Sequence, residues 1–173
     1  MMKTNDFYSS IYKIFENSTP LSKDCGVLCD HACCKSGEEE TGMLLFPFED
    51  KFLKDADFGR IEDTDCEYGD DKTAKIFFCN KCNRSLRPLA CRIFPLMPYK
   101  KKGSRMKIIM NPMAKNICPL ARSLKKEQLE PLFVKNVRRA MNRILKLKDG
   151  EDYIIMLSEI ADDYKNVQQI FNK

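Results

Sequence analysis

The chain has 173 residues, 43% of them hydrophobic and 32% charged, and 30 Lys and Arg stand against 25 Asp and Glu. That length and apolar content suit one ordinary soluble domain with a real core. No run approaches the ~18 consecutive apolar residues of a membrane span, and the opening Met1-Met2-Lys3-Thr4-Asn5-Asp6 lacks a signal-peptide apolar stretch, so no membrane partner and a cytoplasmic location are expected.

Taken in chain order, residues 4–17 predict an amphipathic helix with Phe7, Ile11, Ile14 and Phe15 on one face, ended by Ser18-Thr19-Pro20. A loop-like, cysteine-bearing stretch follows. Met43 to Phe46 suits a strand, and Pro47 can start a short helix with Phe48 and Phe52 inward. The acidic stretch from Asp63 to Asp71 shows no apolar periodicity and is expected to be exposed loop. Ala74 to Phe78 predicts a strand that delivers Cys79. Leu96 to Lys101 and Arg105 to Met110 predict a strand pair about a turn at Lys102-Gly103-Ser104, made irregular by Pro95 and Pro98. Pro112 and Pro119 punctuate a loop that holds Cys118. A helix opening at Glu130-Pro131 places Phe133, Val137, Ala140, Met141, Ile144 and Leu147 on one face and stops at Asp149-Gly150. A second helix, from about Glu151 to Phe171, turns Tyr153, Leu157, Ile160, Ala161, Tyr164, Val167 and Phe171 inward. The expected fold is α+β: a short irregular β-sheet and cysteine-rich metal-binding loops, with an N-terminal helix and a C-terminal helical hairpin. It forms a single domain over 1–173, with a cysteine-cluster core at 20–120 and the hairpin at 127–173.

Charge is strongly segregated. Residues 36–71 hold 13 acids and three bases, whereas residues 72–148 hold 21 bases and two acids. Such halves attract one another within a fold or face different partners.

The chemistry lies in the nine cysteines. Eight fall into short-spaced groups: Cys25, Cys29, Cys33 and Cys34; Cys79, Cys82 and Cys91; and Cys118 in Ile117-Cys118-Pro119. In a reducing compartment a disulfide scaffold is not expected, and clustered thiols with one histidine in the chain point to thiolate metal binding. Cys79 and Cys82 have the two-residue spacing that best brings two thiolates to one ion. Adjacent Cys33 and Cys34 diverge in helix or strand, so they suit two metals or a multinuclear cluster. Eight thiolates complete two four-sulfur sites, which two zinc ions or two iron–sulfur clusters satisfy equally. His31, inside the first group, is an extra candidate ligand. Arg87 and Arg92 flank Cys91, where guanidinium groups can offset thiolate charge or donate to the sulfurs. Cys66 reads as a small buried hydrophobe.

The C-x3-C-x3-C-C run, followed by R-P-x2-C-R-x-F-P (Arg87 to Pro95) and a later Cys118-Pro119, resembles the YkgJ-type cysteine-cluster proteins, described as zinc- or iron-chelating domains. Related cysteine clusters occur in flagellin lysine methylases. The resemblance covers roughly Cys25 to Leu120. It implies Cys25, Cys29, Cys33, Cys34, Cys82, Cys91 and Cys118 as cluster ligands with Cys79 as the eighth, and leaves Cys66 able to compete with Cys79.

Three functions follow. The first is a metal-binding protein holding zinc, with iron or an iron–sulfur cluster as the alternative and more than one metal ion expected. The second is an iron–sulfur redox or methylation-related enzyme or accessory protein, although no phosphate loop, H-E-x2-H or G-x-S-x-G motif is present. The third is a nucleic-acid-binding zinc protein, suggested by Lys100, Lys101, Lys102, Arg105 and Lys107 and by the basic face of the helix after Pro131; a solvated or internally paired charged face is preferred to it.

Overall fold

The computed structural model describes residues 4–34, 42–80 and 83–171, the Cys34 side chain excepted. The fold is mixed α+β, as its segment pattern predicts. Helix α1 (Thr4–Ile14) leads to a short helix α2 (Cys25–Cys29) and a 3-10 turn (Ala32–Cys34). Strand β1 (Gly42–Leu45), helix α3 (Glu49–Leu53), and strands β2 (Gly59–Tyr68) and β3 (Lys72–Cys79) follow. Helix α4 (Leu89–Ile93) precedes β4 (Leu96–Tyr99) and β5 (Lys107–Met110). After a 3-10 turn at Pro112–Asn116, α5 (Pro119–Ser123), α6 (Pro131–Ile144) and α7 (Gly150–Phe171) complete the chain. The strands form two antiparallel sheets, one ordered β1-β3-β2 and one of β4 with β5.

A single hydrophobic cluster joins these parts. On α6 it takes Phe133, Val137, Ala140, Met141 and Ile144, on α1 Tyr8, Ile11 and Tyr12, just after α1 Phe15, and on α7 Tyr153, Ile154 and Met156. Each large side chain buried in this way contributes ~1.5–3 kcal/mol. The α1 face is wider than its aliphatic residues predict, because Tyr8 and Tyr12 are buried with their hydroxyls bonded, Tyr8 to the Pro47 carbonyl at 2.7 Å. The C-terminal helices both form, joined by a short connection. Their main packing is against strands: α6 lies on β4 and β5, and α7 on β2 and β4.

Two expectations are corrected. The acidic stretch is strand β2 as far as Tyr68, and only Gly69 to Asp71 form a turn. Its partly covered residues Thr64, Cys66 and Tyr68 alternate with exposed Asp63, Asp65 and Glu67, after a register irregularity between Asp63 and Glu67. The period of two is present, but Thr and Cys carry it in place of large apolar residues. The acids also suit an edge strand, which charge protects from further pairing. The second correction concerns α7, whose end leaves the body: Val167 is exposed and Phe171 is 83% exposed. A helix longer than the surface it covers keeps its apolar period with nothing to pack against.

The start of the basic β4–β5 connection is engaged by acids of α7. Lys100 pairs with Glu151 at 3.3 Å, and Lys101 with Asp162 at 3.5 Å. Tyr99 donates to Asp162 at 2.8 Å, and the Lys100 amide donates to the buried Ser158 hydroxyl at 2.8 Å. At the other end, Asp149 adopts a left-handed conformation (φ 63°) and pairs with Lys72, tying the α6–α7 connection to the start of β3.

Gly150 starts α7 against α6, where a Cβ would sit 2.0 Å from the Ile144 carbonyl oxygen. Backbone must therefore move to admit any side chain. Gly150→Ala is expected to lose ~1–3 kcal/mol in denaturant unfolding. The Tyr99 hydrogen bond, with Lys165 and Lys101, holds the Asp162 carboxyl below its ordinary range. A depressed carboxyl contributes stability above its unfolded pKa and loses it as pH falls through the folded value. Asp162→Asn should therefore be less stable than the parent near neutrality, with the gap closing on acidification below about pH 4; thermal unfolding across that range checks it.

Candidate metal centre

Cys25 and Cys29 stand one turn apart on α2, the i and i+4 arrangement that shares a helix face. Five residues do not make a self-sufficient helix, and polar ties hold this one. The Asp24 carboxylate caps it by accepting from the Gly26 amide at 3.1 Å, and pairs with Arg84. Asp30 and His31 both take left-handed conformations, and the His31 amide returns to the Gly26 carbonyl at 2.9 Å. The His31 ring lies where a Cβ on Gly26 would be, so any larger residue there would have to displace that ring.

Cys33 follows in the 3-10 turn. Cys91 lies on α4, and Cys118 is buried at the N-cap of α5, its amide bonded to the Ala114 carbonyl at 2.7 Å. Pro119 at the first helical position fits the ordinary start of a helix. These four separate segments bring Cys25, Cys29, Cys33, Cys91 and Cys118 to the wall of one cleft of about 590 Å³. Arg84, Arg87 and Arg92 line it as well, and α1 supplies Tyr12 and Lys13.

The remaining predicted ligands are placed differently. Cys79 ends β3 and packs against the small apolar cluster of Leu45, Leu53, Phe58 and Phe77, away from the cleft lining. Cys66 packs on the main core. His31 is exposed and does not line the cleft. The Cys34 side chain and Cys82 lie outside the described residues. Among the described residues, no three Cys, His, Asp or Glu side chains are grouped closely enough to hold a metal ion.

The thiols nonetheless sense one another. Burial pushes the Cys25 thiol up, and nearby Cys29, Asp24 and Cys118 push it the same way. Several thiolates in one cleft repel, so the thiols hold their protons, and a soft cation offsets that repulsion by binding them as thiolates with release of the protons. Thiolates are the donor type that zinc and iron–sulfur centres take.

Arg92 has a more specific role than its position beside Cys91 suggests. Its guanidinium donates to the carbonyls of Arg87 and Ser85, each at 2.7 Å, and of Arg84 at 3.3 Å. It also lies over the Tyr12 ring, 3.9 Å from the centroid. It therefore shapes the loop before α4. Tyr12 donates in turn to Glu49 at 2.6 Å. Glu49 is fully buried, and its carboxylate also accepts from the Leu89 amide at 2.7 Å and the Phe46 amide at 2.9 Å. Burial raises the Glu49 carboxyl above its usual range, against the pull of these bonds and of Arg92. Burial also lowers Arg92, opposed by Tyr12 and Glu49. Sequence reading passes over Glu49, which looks like one more acid in an acidic run. Arg84 was within reach, since it belongs to the same basic string as Arg87 and Arg92.

No known protein family, curated protein or solved structure matches the chain. Among the described residues, no helix is long and apolar enough to cross a membrane.

Glu49→Gln replaces one acceptor oxygen with a donor that faces hydrogen-bond donors. It is expected to cost ~1–3 kcal/mol in denaturant unfolding, and Tyr12→Phe, which deletes one donor, ~0.5–1.5 kcal/mol.

Proposed function

We propose that this protein binds metal through its cysteine cluster, with zinc the first choice and iron or an iron–sulfur cluster the alternative. The observation that supports this most is the convergence of Cys25, Cys29, Cys33, Cys91 and Cys118, from four separate segments, on one cleft. Cys34 and Cys82 complete the proposed set, and Cys79 joins it on its spacing to Cys82 alone. Eight thiolates would serve two metal ions. The motif order resembling YkgJ-type proteins favours the same reading, as does a cytoplasmic location, where thiols stay reduced. Arg92 would act on the site by fixing the loop that precedes Cys91, and Arg87 by adding positive charge at the cleft wall. A bound metal would supply cross-links between the cysteine segments and hold their thiols as thiolates.

Elemental analysis and an absorption spectrum of anaerobically purified protein test this. About two zinc ions per chain in colourless protein is the expected result, and iron with visible absorption selects the alternative. Cys118→Ser should lower metal retention under chelator challenge by ~tenfold or more. Metal-free protein whose thermal midpoint is unmoved by chelator or by added zinc would sink the proposal.

A further inference from the structure

The cleft is larger than a metal centre needs. Its volume of about 590 Å³ is that of a small-molecule site, whereas thiolates close around a metal within a few ångströms. Beyond the cysteines it extends along the end of α1 and the segment after it, where Tyr12 and Phe15 supply an aromatic wall and Ser18 and Thr19 supply hydroxyls. Phe52 and Phe94 add to the apolar lining. Its fixed charge is positive: Lys13, Arg84, Arg87 and Arg92 face it against Glu16 and Asp24. Arg84 offsets Asp24 directly. Arg92 is held in place by three backbone carbonyls and by the Tyr12 ring, so its charge is positioned before any ligand arrives. Low-dielectric walls concentrate the field of such groups, and guanidinium pairs well with carboxylate or phosphate.

We infer that this cleft binds a small organic anion, an apolar or aromatic body with a carboxylate or phosphate headgroup, beside the cysteines. The body lies against Tyr12, Phe15 and Phe52, and the headgroup meets Lys13 and Arg84 at the mouth. Lys13 is exposed on α1 and Arg84 is half exposed, so both can turn to an incoming anion. This site does not depend on the metal reading.

The test uses the full chain as purified, with its metal content measured, and the anionic aromatic dye 8-anilinonaphthalene-1-sulfonate as fluorescent probe. One saturable site per chain is expected. Lys13→Glu should weaken it about tenfold, and Arg84→Gln should weaken it as well, whereas Lys102→Glu, on the exposed basic turn, should leave it within about twofold. Lys13 projects from a formed helix, so its variant keeps the test meaningful if Arg84→Gln disturbs the Asp24 contact. Phenyl phosphate or benzoate should displace the dye, and whichever does so better identifies the headgroup. Binding unaffected by Lys13→Glu, equal displacement by neutral benzyl alcohol, or no saturable site would overturn the inference. Metal in the protein without dye binding removes this site alone. Dye binding with the expected variant pattern in metal-free protein supports it while the metal proposal fails.

Discussion

The buried Glu49 carboxylate is the constraint on which the rest depends. It draws donors from three places that are distant in sequence: the Tyr12 hydroxyl on α1, the Phe46 amide after β1 and the Leu89 amide at the start of α4. A carboxylate taken from water without partners would be intolerable, and three bonds leave it few alternatives to this geometry. Tyr12 then serves twice, donating to Glu49 and lying beneath Arg92. Arg92 passes the constraint outward by gathering the carbonyls of residues 84, 85 and 87. One buried acid in the core thus fixes the wall of the cysteine cleft.

This arrangement explains why parts of the molecule were legible in its sequence and others were not. Helix α6 reads directly, because Phe133, Val137, Ala140, Met141 and Ile144 repeat at helical spacing and all are buried. Strand β2 does not, since Thr64 and Cys66 mark its covered face and flanking acids dominate the composition. The cysteine spacings led to the thiols that line the cleft, yet Cys79 ends in an apolar cluster, because spacing along a strand does not say which face a thiol takes. Glu49 and Tyr12 are the deepest case. Their importance comes from partners some 40 residues apart, which no local pattern encodes.

Charge segregation resolves in a similar way. The basic turn between β4 and β5 faces Glu151 and Asp162 on α7, and Lys72 at the start of β3 meets Asp149. Part of the positive excess is therefore internal adhesive. At the cleft, Arg84 is likewise paired, with Asp24, whereas Arg92 sits against the Tyr12 ring and backbone carbonyls, where charge acts at short range and with less screening.

The helix that carries Cys25 and Cys29 has little core, whereas α4 is anchored by buried Leu89 and Ile93, and Cys118 by buried Ala114 and Ala121. Helix α2 has five residues, and its outward Val27 and Leu28 are 76% and 70% exposed. Ile117, next to Cys118, is exposed too. Hydrophobic burial therefore does little to hold α2, and what does hold it is polar: the Asp24 cap and the Asp24–Arg84 pair. Partly exposed pairs of this kind contribute little individually. A chain that places Cys25 and Cys29 on such a weakly anchored helix gains stability wherever something cross-links that helix to the better buried segments of Cys91 and Cys118. In this cleft, the groups that can be cross-linked are the thiols, so a metal bound as proposed would order these segments as it fills the site.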